Sequence, residues 1–155
     1  MNKDKIISDT SVSDTVVING LKWDRENTVI EEREHLNWYE AIGVAQASGK
    51  RLPTKEEWEA LIALGSTWDD DRKGRWFGND HKLKADSKES IFLPAAGHRN
   101  RSGGAQNGVG SIGTYWSSAV TSTTSYYLYF TSGSINAANT TNRAYGLTVR
   151  CVADI

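Results

Sequence analysis

Two short motifs fix where this chain can be helical. Asn37 with Glu40, and Thr54 with Glu57, each set a small polar side chain three residues ahead of a glutamate, so that each residue satisfies a free backbone N–H of the other. Behind the first box, Trp38, Ala41, Ile42 and Ala45 recur at helical spacing; behind the second, Trp58, Leu61 and Ile62 do. Gly49 and Gly65 stop the two runs. A cap of this kind contributes about 1 kcal/mol, so it decides where a helix begins more than whether the chain folds. Ahead of the helices, "TVVINGLKWD" places Asn19-Gly20 between two apolar runs, a hairpin signal. The span 66–86, rich in charge, reads as a long surface loop carrying two tryptophans. After Ser90 the period becomes that of strands: "SIFLPAAG", "GTYWSSAV", "SYYLYFTSG", "SIN" and "AYGLTVRCVAD", with Gly, Ser and Asn between them. Helices early and strands late predict an α+β fold, two helices packed on small antiparallel sheets.

At 155 residues the chain suits one domain. Residues 1–15 are polar and aperiodic, a mobile tail or docking arm, and the domain proper is expected over 16–155. A net charge of -1 from 18 basic and 19 acidic residues offers no field to gather nucleic acid or an anionic membrane. The start lacks the roughly seven consecutive apolar residues of a signal peptide, and no run approaches the roughly 18 that span a bilayer, so neither export by that route nor membrane insertion is expected. Cys151 is the one cysteine, which leaves stability to packing and makes most of the six tryptophans structural.

The stretch from Ala119 to Gly146 holds ten Ser and Thr, four Tyr and a single charge, Arg143. Its alternation excludes a linker. In "SYYLYFT", Tyr126, Leu128 and Phe130 share one face and Tyr127, Tyr129 and Thr131 the other. Leu128 and Phe130 choose the core, each contributing roughly 1.5–3 kcal/mol, and send Tyr127 and Tyr129 outward as an exposed aromatic patch. In the last strand Leu147, Val149 and Cys151 share a face, with Tyr145, Thr148 and Arg150 on or near the other; Cys151 is then a packed small hydrophobe. From Ile112 to Tyr145, 34 residues, there is no Lys, Glu, Gln or Met, although the rest of the chain holds nine Lys, nine Glu, two Gln and one Met. Solvated faces carry charge, so this uncharged Tyr, Ser, Thr and Asn surface reads as one made for contact.

"GKRLPTKEEWEAL", "SIFLPAAGHRN", "VGSIGTYWSS", "YYLYFTSGSI" and "RAYGLTVRCV" together resemble the FISUMP-type major paralogous domains, of the formylglycine-generating-enzyme branch of the C-type lectin fold. The C-terminal third further resembles the variable proteins of diversity-generating retroelements, which include the major tropism determinant of a phage. The resemblance implies a C-type lectin fold whose outer face is rewritten at adenines of Asn-type codons, a process that cannot yield Lys, Glu, Gln or Met. It implies a constant frame of Tyr115, Trp116, Ser117, Ser118, Tyr126, Leu128, Phe130, Ile135, Arg143, Gly146 and residues 147–152. The implied ligand-facing positions are Ile112, Thr114, Ala119, Thr121, Thr123, Thr124, Tyr127, Tyr129, Thr131, Asn136, Thr140 and Tyr145.

Enzymatic chemistry finds little footing. The formylglycine-generating reaction needs a pair of cysteines, and the chain has one. The lectin calcium motifs Glu-Pro-Asn, Gln-Pro-Asp and Trp-Asn-Asp are absent, and the three carboxylates Asp69 to Asp71 read as solvated, so neither metal nor cofactor is expected. His35, His81 and His98 are scattered with no nucleophile elbow; His98 is expected in a loop near the binding face. "NRSGGAQNGVG" lacks the ending of a phosphate loop and reads as a turn-rich surface loop. The expectation is a non-enzymatic receptor-recognition protein with a diversified face for a protein or glycan ligand on a host or cell surface. Such a protein would be virion-associated, or cytoplasmic before assembly into a homo-oligomer or larger virion carrier. A structural module whose sheet face packs on a partner subunit is the alternative, and a degenerate enzyme of the formylglycine branch the third.

Overall fold

A computed structural model describes residues 13–101 and 104–155. It is α+β, with two helices and several small antiparallel sheets. Strands β1 (Thr15–Ile18) and β2 (Leu21–Asp24) form the opening hairpin. Asn19 and Gly20 both take positive φ, 56° and 75°, as a two-residue turn matching the strand twist requires. Of the expected tail, residues 1–12 lie outside the described residues; Ser13 and Asp14 lend their carbonyls to the side chain and backbone of Arg25. Helices α1 (Trp38–Ala47) and α2 (Lys55–Ala63) start where the capping boxes put them, with both reciprocal bonds made in each.

The span 66–86 is not the expected loop. Strands β3 (Ser66–Asp69) and β4 (Gly74–Phe77) pair there and continue to β5 (Ile91–Pro94), followed after β4 by a 3-10 turn at His81–Leu83. All four residues of β4 are buried, Arg75 among them, so it shows no alternation, and Asp70 to Lys73, among the charges that suggested a loop, form its turn with β3. Asp69 is not solvated either: it is 6% exposed, and its carboxylate accepts from Trp76 Nε1 at 2.9 Å and from the backbone N–H groups of Asp71 and Arg72. Those bonds, the Trp76 one foremost, hold its pKa below the ordinary aspartate value.

In the glycine-rich loop, β6 (His98–Arg99) pairs with β7 (Gln106–Asn107). The third sheet has β9 (Thr124–Phe130) between β8 (Gly113–Val120) and β10 (Ile135–Asn142), the last much longer than "SIN" suggests. Within "AYGLTVRCVAD" only β11 (Val152–Asp154) is regular strand, and it pairs with β2. The residues before it run alongside β8: Trp116 N–H donates to the Thr148 carbonyl and Thr148 N–H to that of Thr114, both at 3.1 Å. Arg150, expected on or near the outer side of this segment, is 1% exposed. Its guanidinium donates to Asn27 Oδ1 and the Asp24 carbonyl, bonds that make so costly a burial tolerable.

Two apolar clusters result. The larger joins Trp23, Trp58, Phe77, Leu93, Tyr115 and Phe130 across all three three-stranded sheets and α2; the smaller joins Leu36, Ala41, Ala45, Trp116, Leu147 and Val149 around α1. Four of the six tryptophans, Trp23, Trp58, Trp76 and Trp116, are buried. Tyr115 and Trp116 are neighbours on β8 and fall in different clusters, so the third sheet packs on both faces at that strand.

Candidate ligand-binding face

Register decides which side chains share a face of the third sheet. Thr114, Tyr129 and Asn136 stand opposite one another across the three strands, and so do Trp116, Tyr127 and Asn139. On the reverse face Tyr115 meets Leu128, and Gly113 and Ile135 flank Phe130, whose ring lies where a side chain on Gly113 would go. Leu128 and Phe130 are fully buried, as the alternation requires.

Tyr127 and Tyr129 are on the predicted side, yet they are half-buried rather than an exposed patch. Alternation gives the side of a sheet and not what lies over it, and here the segment from Tyr145 to Val149 and helix α1 roof part of that side. Tyr127 packs against the smaller cluster, and burial raises its phenol pKa against the opposing hydrogen bond of Asn139. Beneath the roof lies a cavity of about 80 Å³. Strands supply Thr114, Tyr127, Tyr129 and Thr141; the segment after β10 supplies Tyr145 and Leu147, and β6 supplies His98.

Of the twelve expected positions, Thr114, Tyr127, Tyr129 and Tyr145 meet at this cavity, and Asn136 adjoins Tyr129. Thr114 is 3% exposed and its hydroxyl donates to the Gly97 carbonyl, so it forms the floor. Ala119, Thr121, Thr123 and Thr124 gather at the β8–β9 turn and Thr131 at the β9–β10 turn. Ile112 sits at the foot of β8 against Gly108. Thr140 pairs with Tyr126, which puts it on the reverse face. The cause is an irregularity between Asn136 and Asn139 that changes the alternation along β10, and nothing in "INAANTTN" announces it. Thr141 and Leu147, outside the twelve, complete the cavity wall.

Each end of β9 is held by an arginine. Arg143 Nη2 donates to the carbonyls of Thr121 at 2.7 Å and Thr124 at 3.0 Å, and its guanidinium lies over the Trp38 ring. Arg75, 8% exposed, donates through Nη2 to the carbonyls of Thr131 at 2.8 Å and Ser132 at 3.0 Å.

His98 Nδ1 is buried and has no hydrogen-bond partner among the described residues. Burial, aided by His35, holds the imidazole pKa below its ordinary value, so the ring is neutral near pH 7. Cys151 is 2% exposed with Sγ 3.4 Å from Thr28 Oγ1, and burial pushes its thiol pKa up, the environment of a packed residue. No group of three or more His, Cys, Asp or Glu among the described residues is arranged to hold a metal ion. A larger depression, about 580 Å³, lies beside β1 and shares no residue with this face.

No curated protein and no solved structure matches the chain. A family model described as a domain of unknown function, DUF8237, matches residues 63–152, which takes in all of β3 to β10 and every cavity residue. That match spans more than half of the 155 residues, and the chain belongs to the DUF8237 family.

Proposed function

We propose that this protein is a non-enzymatic binding protein with a C-type lectin fold, and that the face bearing Tyr127, Tyr129, Asn136 and Tyr145 recognises a ligand on a host or cell surface. One observation carries the reading: three half-buried tyrosines ring a small cavity on a sheet face without a charged side chain lining it. Tyrosines held in this way offer wide contact area with little rotamer entropy left to lose, and Asn and Thr beside them offer adaptable hydrogen bonds. The absence of Lys, Glu, Gln and Met from Ile112 to Tyr145 fits diversification of the retroelement type, in a phage or bacterial protein.

Two measurements test this. A library randomised at Tyr127, Tyr129, Asn136 and Tyr145 should remain mostly folded by thermal melt and should yield clones that bind bacterial surfaces; a library that mostly fails to fold overturns the reading. The DNA downstream of the gene should hold a near-copy of its 3′ end differing only at adenines, and its absence removes the retroelement component. A stable homo-oligomer in which Tyr127 is shielded from solvent would instead indicate an assembly module.

A further inference from the structure

We propose that His98 is a pH-sensitive latch: when the ring takes up a proton in mild acid, β6 lets go of Gly146 and the wall of the neighbouring cavity opens on that side. The latch works in the same way whatever the face binds.

Four features meet at this point. First, His98 Nδ1 is buried without a hydrogen-bond partner among the described residues. A neutral imidazole can carry its N–H on Nε2 and leave only a lone pair at Nδ1, whereas the imidazolium has an N–H on both nitrogens and would bury a donor with nothing to accept it. Second, no counter-charge is at hand. The ionisable groups that share the cavity with His98 are the phenols of Tyr127 and Tyr129 from β9 and Tyr145 from the segment after β10; β8 and β10 bring only threonines, and no carboxylate lines the space. Across from β6, strand β7 brings Gln106 and Asn107, and Arg99 follows on β6 itself. His35 stands at the same contact, since a Cβ on Gly146 would lie 3.2 Å from its Cβ and 3.4 Å from that of Arg99. Burial, and then the like charge of His35, disfavour the protonated ring. Third, β6 is lightly held. It pairs with β7 over two residues, and none of these four residues contributes to either apolar cluster. Two backbone bonds tie it to the cavity wall: Arg99 N–H donates to the Gly146 carbonyl at 2.8 Å and Gly146 N–H to the Arg99 carbonyl at 2.9 Å. Little has to break for β6 to move, which is the mark of a segment that opens locally. Fourth, Gly97 and Gly108 stand just before β6 and just after β7 with φ of 69° and 76°, pivots that a side chain would stiffen. Gly97 stays anchored, its N–H donating to the Ile112 carbonyl and its carbonyl accepting from the Thr114 hydroxyl, so movement begins at His98. Gly146 lies between Tyr145 and Leu147 of the cavity wall, and its release admits water beside Tyr129.

The test is amide hydrogen exchange by NMR on the full chain at about pH 7.5 and about pH 5.5, on either side of the ordinary histidine range, each rate divided by the intrinsic rate at that pH. Protection of the Arg99 and Gly146 amides should fall roughly three- to tenfold in acid, across the range in which the His98 ring itself titrates. Low urea should leave their exchange unchanged, because a local opening exposes little surface, while the amides of β9 respond to it. A neutral gadolinium chelate should broaden the Tyr129 ring protons more in acid than at neutral pH. His98→Gln, polar but unable to titrate in this range, should remove both acid responses, and His98→Phe should do the same, so that either variant serves if the other does not fold. An acid response that survives in either variant overturns the latch. So does exchange at Arg99 and Gly146 that follows the β9 amides in urea, or a His98 ring that titrates with no change at those two amides.

Discussion

The two faces of the β8–β9–β10 sheet are built from the same strands and end in opposite states. Tyr115, Leu128, Phe130 and Ala137 are all buried on one face, while Tyr127, Tyr129, Asn136 and Asn139 leave the other partly open. The closed face even satisfies its polar group internally: the Tyr115 hydroxyl donates to the Pro94 carbonyl at 2.7 Å and accepts from Asn27, and burial pushes its pKa up to about 12. Beside the open face, on β6, the buried His98 Nδ1 has no hydrogen-bond partner among the described residues. A sheet can therefore put most of its burial on one side and leave the other partly open.

Substitutions can break that division. Phe130→Ala empties a site between Phe77 and Tyr115 and should cost about 3–5 kcal/mol in denaturant unfolding, a large share of what a domain has. Tyr127→Ala on the open face should cost only about 1–2 kcal/mol, since the ring is half-buried and only part of its area returns to water. An equal loss at the two positions would mean that the second face is core as well. The smallest effect is that of pH. His98 binds its proton less readily folded than unfolded, so below about 6.5 the unfolded chain takes up more protons and stability falls. The fall should level off once the folded imidazole is also protonated, and His98→Phe should remove that part of the pH dependence in melts from neutral to mildly acidic buffer.

What the sequence disclosed follows the range of the forces involved. The helix starts and the Asn19-Gly20 turn depend on neighbours three residues away or fewer, and they are legible. The side taken by Tyr127 depends on the strand period and is legible too, but its half-burial depends on Tyr145 and Leu147 arriving from another part of the chain, which no local pattern encodes. Strand β4 escapes for a related reason: with both faces covered, it has no polar alternation to display. Arg75 and Arg150 look like surface residues because their charge is visible in the sequence, whereas the carbonyls and the asparagine that receive them are not. Thr140 lies on the face opposite to the expected one because of an irregularity in β10 that leaves no compositional trace.

The arginines at the two ends of β9 bear on how this domain can change over generations. Arg143 and Arg75 grip Thr121, Thr124, Thr131 and Ser132 by their carbonyl oxygens. Every amino acid has a carbonyl, so a mutation at any of those four positions keeps the atom that the arginine holds, although at Thr121 and Thr131 it also removes a hydroxyl that accepts backbone N–H bonds within the turn. At Thr124 and Ser132, heritable variation at the rim of the sheet thereby leaves the arginines' acceptors in place.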